Sequence, residues 1–170
     1  VSIAIFPKIS RLLHKNKNDI ALEKMSFAFW FLLSILSVSS IVGMLLNQEI
    51  TQLLFQRGSF TQQNSIDTAM VLNMYLIGLL PFGLSRLFSL WLYATHQLKL
   101  SAKIATYSLL FNIILSLLFI ETLGAKGLAL ASSLSGFLQL ILTIKAFGLK
   151  SFVLMFNIKY SVYFMILLSL

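Results

Sequence analysis

Arg86 is the residue of this 170-residue chain whose type and place most invite chemistry. It stands inside an apolar run, about 12 residues, or about 18 Å of helical rise, before the run's end. A guanidinium facing lipid at that depth is costly. Two readings are open: it lines a hydrated cavity and meets an anionic group of a substrate, or it bonds backbone carbonyls or snorkels to the interface. Pro81 and Gly83 lie about one turn earlier. Proline removes a helical hydrogen bond and bends the helix, which suits a cavity wall, although inert membrane helices carry proline too.

Other polar residues fall into patterns. Ser108, Asn112 and Ser116 recur at i, i+4 and i+8 and share one helix face. Ala129, Ser132, Ser133, Gly136 and Gln139 form a small and polar stripe further on. Small residues let helices approach and polar ones bond across, so packing explains both. A cation site or a polar substrate site between the two helices is the sharper alternative. It lacks a carboxylate, and hard cations favour charged oxygens. Arg57-Gly58-Ser59 follows Leu53-Leu54-Phe55 and reads as an amphipathic interfacial turn. His14 and His96 sit near loops with no partner histidine at metal spacing, and read as structural or solvated. There is no carboxylate pair, Ser–His–Asp set, phosphate-cradling glycine loop or HExxH, and no cysteine. The sequence therefore calls for no catalytic residue, no resident metal and no cofactor.

The elements that must position these residues follow from composition. Hydrophobic residues make up 58% of the chain and charged residues 11%, with mean hydropathy +0.91. A soluble domain has roughly 25% charge, so soluble enzymes, disordered tails and nucleic-acid modules are excluded and the natural solvent is a bilayer. Continuous apolar runs, rather than alternating ten-residue segments, select helices over a barrel. The expectation is an all-α polytopic membrane helix bundle with four full spans, at 25–48, 68–98, 104–120 and 127–147. Shorter end helices at 1–13 and 159–170 fall below the roughly 20 residues that a span needs. Both ends look cut from a longer membrane protein.

The charges orient these spans. Loops 14–24, 99–103 and 148–158, with their flanking turns, hold ten of the thirteen basic residues: Lys8, Arg11, Lys15, Lys17, Lys24, Lys99, Lys103, Lys145, Lys150 and Lys159. Loops 49–67 and 121–126 hold Arg57 and Lys126. The positive-inside rule makes the first set cytoplasmic and the second periplasmic. The bias also favours anionic lipid headgroups. The basic clusters lack the interleaved aromatics of an RNA-binding surface, so nucleic acid is not an expected partner. Trp30, Trp91, Tyr93 and Tyr160 lie near expected helix ends, where aromatic belts form.

Four stretches resemble the MurJ/MviN lipid II flippase family of the MOP exporter superfamily. Phe6-Pro7-Lys8-Ile9-Ser10-Arg11 is similar to the family's P-x-L-S-R at a cytoplasmic helix end. Leu54-Phe55-Gln56-Arg57-Gly58-Ser59-Phe60-Thr61 resembles L-F-E-R-G-x-F-T, with Gln56 in place of Glu. Gly78-Leu79-Leu80-Pro81-Phe82 leads through Arg86, where the family has Lys or Arg, to Leu92-Tyr93-Ala94, where it has F-Y-A. The run Leu123-Gly124-Ala125-Lys126-Gly127-Leu128-Ala129-Leu130-Ala131-Ser132-Ser133 resembles L-G-x-x-G-L-A-L-A-T-S. All four occur in family order and spacing.

The resemblance implies a MOP/MATE-like C-lobe, part of the C-terminal half of a fourteen-helix transporter in the bacterial inner membrane. That transporter moves lipid II, a pyrophosphate with a sugar–peptide head on a polyprenyl tail, to the outer leaflet by alternating access. Arg86 and Pro81 would belong to the substrate cavity, and Arg57 and Gly58 to the motif loop. Asn112, Ser116, Leu128 and Ser132 match a cation site, although the family often has Asn or Asp where Ser116 stands. Lipid II, membrane lipids and cell-wall synthesis proteins are the partners implied. Another MOP exporter, for a lipid-linked polysaccharide or a drug, is the alternative closest in kind. A membrane glycosyltransferase would need acidic catalytic residues or a large outer loop, and neither is present. A non-transporting structural subunit would leave Arg86 and Pro81 without a role.

Overall fold

Inside lipid a backbone N–H finds no water, so a long apolar run satisfies its amides along itself as a helix. The computed structural model describes residues 2–15, 17–58 and 60–156. Among them are seven helices: α1 (Ser2–His14), α2 (Asn18–Leu45), α3 (Asn47–Phe55), α4 (Gln62–Ala94), α5 (Leu98–Leu123), α6 (Ala125–Phe147) and α7 (Leu149–Leu154). α2, α4, α5 and α6 are long and apolar enough to cross a membrane. The fold is an all-α membrane helix bundle.

Helix ends differ from the charge-free runs for a physical reason. Absence of charge marks the part of a helix that can sit in hydrocarbon, not the helix itself. α2 begins seven residues before the expected start at 25 and includes Asp19, Glu23 and Lys24. α5 likewise absorbs the expected loop 99–103. α4 starts at Gln62 because the Thr61 hydroxyl accepts the Asn64 N–H at 3.3 Å, a side-chain cap. It stops at Ala94, four residues short of the expected 98. There His96 takes φ 59°, and the Gln97 N–H reaches back to the Leu92 carbonyl at 2.8 Å. α2 ends at Leu45, before the expected 48, and α3 begins at Asn47 and fills much of the expected loop 49–67, whose end α4 takes from Gln62; the expected loop 148–158 contains α7. The end helix expected at 159–170 lies outside the described residues.

α4 and α6 run parallel and form the tightest seam. Asp67 pairs with Lys126 at 3.3 Å where both helices begin. Further along, the Ser133 hydroxyl donates to the Met74 carbonyl, Gly136 lies under the Phe82 ring, and Phe88 meets Phe147 at 5.2 Å between ring centroids. α5 returns antiparallel and packs mainly on α6. Gly124 makes that return in one residue at φ 57°, a conformation glycine adopts without a side-chain clash. α2 crosses α4 on its other side, where Ser40 Oγ donates to the Leu76 carbonyl at 2.8 Å.

The apolar core sits at the Lys-rich end. It joins Ile9 of α1, Met25, Phe29 and Trp30 of α2, Leu84, Leu87 and Phe88 of α4, and Phe147 of α6. Met155 seals it, its carbonyl accepting Ser26 Oγ at 2.7 Å and Trp30 Nε1 at 3.4 Å. Trp30 is buried, and half-buried Trp91 packs edge-on against Phe147 at 5.1 Å. Ring packing in and against the core holds both. Tyr93 is exposed, and Tyr160 lies outside the described residues.

A methyl group at Gly78 would sit 2.6 Å from Ser133 Oγ and 2.9 Å from its Cα. Gly78→Ala is therefore expected to destabilise the intact protein in detergent by about 1–3 kcal/mol. Gly43→Ala meets only the flexible tip of Leu76 at 3.0 Å and should shift the melting temperature far less. Equal shifts in a thermal melt would remove the α4–α6 approach as the tight point.

Candidate functional site

One face of α4 carries Phe82, Ser85, Arg86, Ser89, Leu90 and Tyr93, at i, i+3, i+4, i+7, i+8 and i+11. Together with Gln139 of α6 these residues line an open cleft of about 470 Å³. α6 supplies Gln139 because the parallel seam brings Gly136, one turn earlier, under Phe82. The cleft stands nearer the Lys-rich end than the charge-free run implied. From Arg86 to the end of α4 at Ala94 is about 12 Å of helical rise, rather than about 18 Å.

Arg86 is exposed in the cleft. Among the described residues it has neither an ion pair nor a hydrogen bond, to a backbone carbonyl or otherwise; Asp67–Lys126 is the ion pair found there. Ser85 Oγ donates to the Phe82 carbonyl at 2.9 Å, and Ser89 Oγ to the Ser85 carbonyl at 2.8 Å. These hydroxyls are turned onto their own helix. The guanidinium, the Tyr93 hydroxyl and the Gln139 amide remain with uncommitted hydrogen-bonding groups. A guanidinium presents five N–H donors in a planar fork that matches carboxylate or phosphate. The chemistry available here is anion binding without covalent change.

The α5–α6 cluster behaves differently. The fold does bring Asn112, Ser116, Ser132 and the Leu128 carbonyl together. Asn112 Nδ2 donates to Ser132 Oγ and Ser135 Oγ, each at 3.2 Å. Ser116 Oγ donates to Asn112 Oδ1 at 3.0 Å, and Ser132 Oγ to the Leu128 carbonyl at 3.0 Å. Ser108 Oγ closes the group on the Ser135 carbonyl at 2.6 Å. Every oxygen that would face a cation already accepts or donates within the cluster, and none is a carboxylate. Among the described residues no group of three His, Cys, Asp or Glu could hold a metal. As it stands the cluster joins two helices.

The remaining candidates disperse. Pro81 is fully buried in α4 and is not among the cleft-lining residues; any influence on the cleft passes through the course of its helix. Arg57 and Gly58 lie in the turn after α3, with Gly58 at φ 60°. They stand before α4, and the helix from Gln62 to Arg86 rises about 36 Å, so they share no site with Arg86. His14 and His96 are far apart in sequence, yet their rings meet edge-on at 5.9 Å. Ser85, Ser89 and Tyr93 join Arg86 through their spacing along one face of α4, a signal present in the sequence. Gln139, which reads in sequence as part of a small and polar packing stripe, lines the cleft instead.

Comparisons with known proteins agree with the motif reading. A family model described as lipid II flippase MurJ matches residues 1–169. Proteins named probable lipid II flippase MurJ from two Helicobacter pylori strains are 48% and 47% identical over 152 residues, covering 89% of this chain. The chain spans 33% of the length of these relatives. A solved structure, a lipid II flippase MurJ in an inward closed conformation, superposes with TM-score 0.72 at 23% identity over 99% of this chain and 39% of that one. At that identity the superposition speaks for the fold.

The closed cluster yields a stability ranking. Asn112→Ala removes three hydrogen bonds and Ser116→Ala one, each interhelical bond in a membrane contributing about 0.6–1.7 kcal/mol. Asn112→Ala should lower the melting temperature of the intact protein clearly more than Ser116→Ala. The reverse order would refute the network.

Proposed function

This chain belongs to the lipid II flippase MurJ family, and on that premise we propose that it forms part of a transporter carrying lipid II from the inner to the outer leaflet of the bacterial cytoplasmic membrane. The activity is that of the whole protein, of which the chain corresponds to 33% of a relative's length. The family is one of transporters rather than enzymes, and no bond need be made or broken. The Lys-rich end, which holds the aromatic core, then faces the cytoplasm.

The observation that carries the reading is the uncommitted Arg86 in its cleft. Lipid II presents a pyrophosphate that must cross about 30 Å of hydrocarbon. An anion leaves water only if a counter-charge and donors replace its hydration. Arg86 offers both, in a geometry that takes two phosphate oxygens at once. The same guanidinium is exposed, and solvent weakens such a pair. That suits a site which must release its cargo as well as hold it. Alternating access then exposes the cleft first to one leaflet and then to the other. A ligand drives such a change only by binding the two states unequally.

Surrounding lipids and the proteins that make or consume the precursor are the partners this role implies. A coupling cation at Asn112, Ser116, Leu128 and Ser132 belongs to the same proposal. It would have to open the hydrogen bonds those oxygens now share. Cation-dependent transport that survives Asn112→Ala removes it.

Two experiments test the role. The intact protein is expected to restore cell-wall synthesis in a bacterium depleted of its own flippase; failure of a well-expressed protein sinks the proposal. Arg86→Gln should reduce lipid II transport at least about tenfold, the scale of one lost charge-assisted hydrogen bond, while the melting temperature holds. Normal transport by that variant returns Arg86 to a purely structural role.

A further inference from the structure

We propose that Gln139 and Tyr93 form a second, uncharged subsite of the Arg86 cleft, which takes the hydroxyl and amide groups of the substrate's sugar–peptide head while Arg86 takes its phosphate. The proposal rests on the reading of the cleft as the lipid II site. Four features carry it.

Gln139 is the single α6 residue that lines the Arg86 cleft. It also lines a neighbouring cavity of about 280 Å³ bordered by Ser108, Asn112, Ser132 and Ser135. Phe82 and Gln139 are common to both spaces. The Phe82 ring lies so close over Gly136 that a methyl group there would stand 3.1 Å from it. The ring is thus seated against α6, beside the glutamine that faces both spaces.

Gln139 is also the exception among the polar side chains around it. Ser108, Asn112, Ser116, Ser132, Ser135 and Thr143 each donate a hydrogen bond within the bundle. The Gln139 side-chain amide makes none among the described residues; its backbone carbonyl accepts Thr143 Oγ1 at 2.7 Å. An amide left without partners in a membrane helix is costly. Water, a ligand in the cleft or a part of the whole protein beyond this chain, which spans 33% of a relative's length, has to satisfy it; the open cleft leaves room for the ligand.

The donor and acceptor inventory then sorts the ligands. Arg86 has donors only, and selects anions. Gln139 has a donor end and an acceptor end. A phosphate can use only its donor end, whereas a hydroxyl or an amide can both give to it and receive from it. Tyr93, on the Arg86 face of α4, adds an exposed ring and a hydroxyl without a partner among the described residues. An aromatic with a polar tip suits a ligand that is part apolar and part hydroxylated. The cleft therefore holds a charged subsite and a neutral one side by side.

The test measures binding of two probes to the intact protein in lipid nanodiscs: lipid II, and polyprenyl diphosphate, which has the same tail and phosphates but no sugar or peptide. Gln139→Leu should weaken lipid II binding about five- to tenfold, the loss of one or two neutral hydrogen bonds, and leave polyprenyl diphosphate binding unchanged. Tyr93→Phe, which removes one oxygen, should show the same selectivity at about threefold, and it carries the test if Gln139→Leu does not fold. Unchanged lipid II affinity, or equal weakening of both probes, overturns the subsite. Arg86→Gln should weaken both probes. If it weakens neither, the cleft is not the phosphate site, and that outcome is distinct from failure of the neutral subsite alone.

Discussion

Lipid tails are as apolar as leucine, so helices in a bilayer gain little from burying apolar faces on one another; they are held by close packing and by hydrogen bonds between them. In this bundle both meet at the α4–α6 seam. Gly78 has no side chain where Ser133 needs room, and the Ser133 hydroxyl reaches the Met74 carbonyl across the gap. The two helices run parallel because one antiparallel helix, α5, separates them in the chain. Gly136 then falls under Phe82, Phe147 beside Phe88 and Trp91, and Gln139 into the wall of the Arg86 cleft.

Two groups of polar side chains in the spans behave differently. The serines, threonines and Asn112 of the α5–α6 contact close their hydrogen bonds on one another or on backbone carbonyls. They cost little to bury because nothing is left unmade. Arg86, Tyr93 and Gln139 leave theirs open and share one cleft. In a medium where an unmet hydrogen bond is expensive, open polar groups gathered in one cleft are the place to look for a bound polar group, as proposed above. This separates the Arg86 cleft from the Asn112 cluster on physical grounds, although both read as polar stripes in sequence.

Much of the architecture was legible because a bilayer imposes simple rules on sequence. Charge-free runs located α2, α4, α5 and α6. Helix ends were less legible, because charged residues such as Lys24 and Lys103 continue a helix beyond hydrocarbon. Short amphipathic pieces such as α3 fell below the length at which a span can be read. For the site, Arg86 stood out by its cost. Ser85, Ser89 and Tyr93 could have been found from their spacing to it along one face. Gln139 could not, since its place depends on which face of α6 meets α4.

Sequence by itself determined that this is a multi-pass helical membrane chain, that its basic residues gather between alternate spans, and which family motifs it carries. These follow from composition, from charge against hydrocarbon and from local pattern, all readable one segment at a time. The tertiary structure alone decided that His14 meets His96, that Trp30 and Trp91 serve the core, and that Asn112 is hydrogen-bonded across α5 and α6 while the Arg86 and Gln139 side chains make no hydrogen bond among the described residues. Those outcomes depend on contacts between residues as many as 125 positions apart. No periodicity within one helix encodes such contacts.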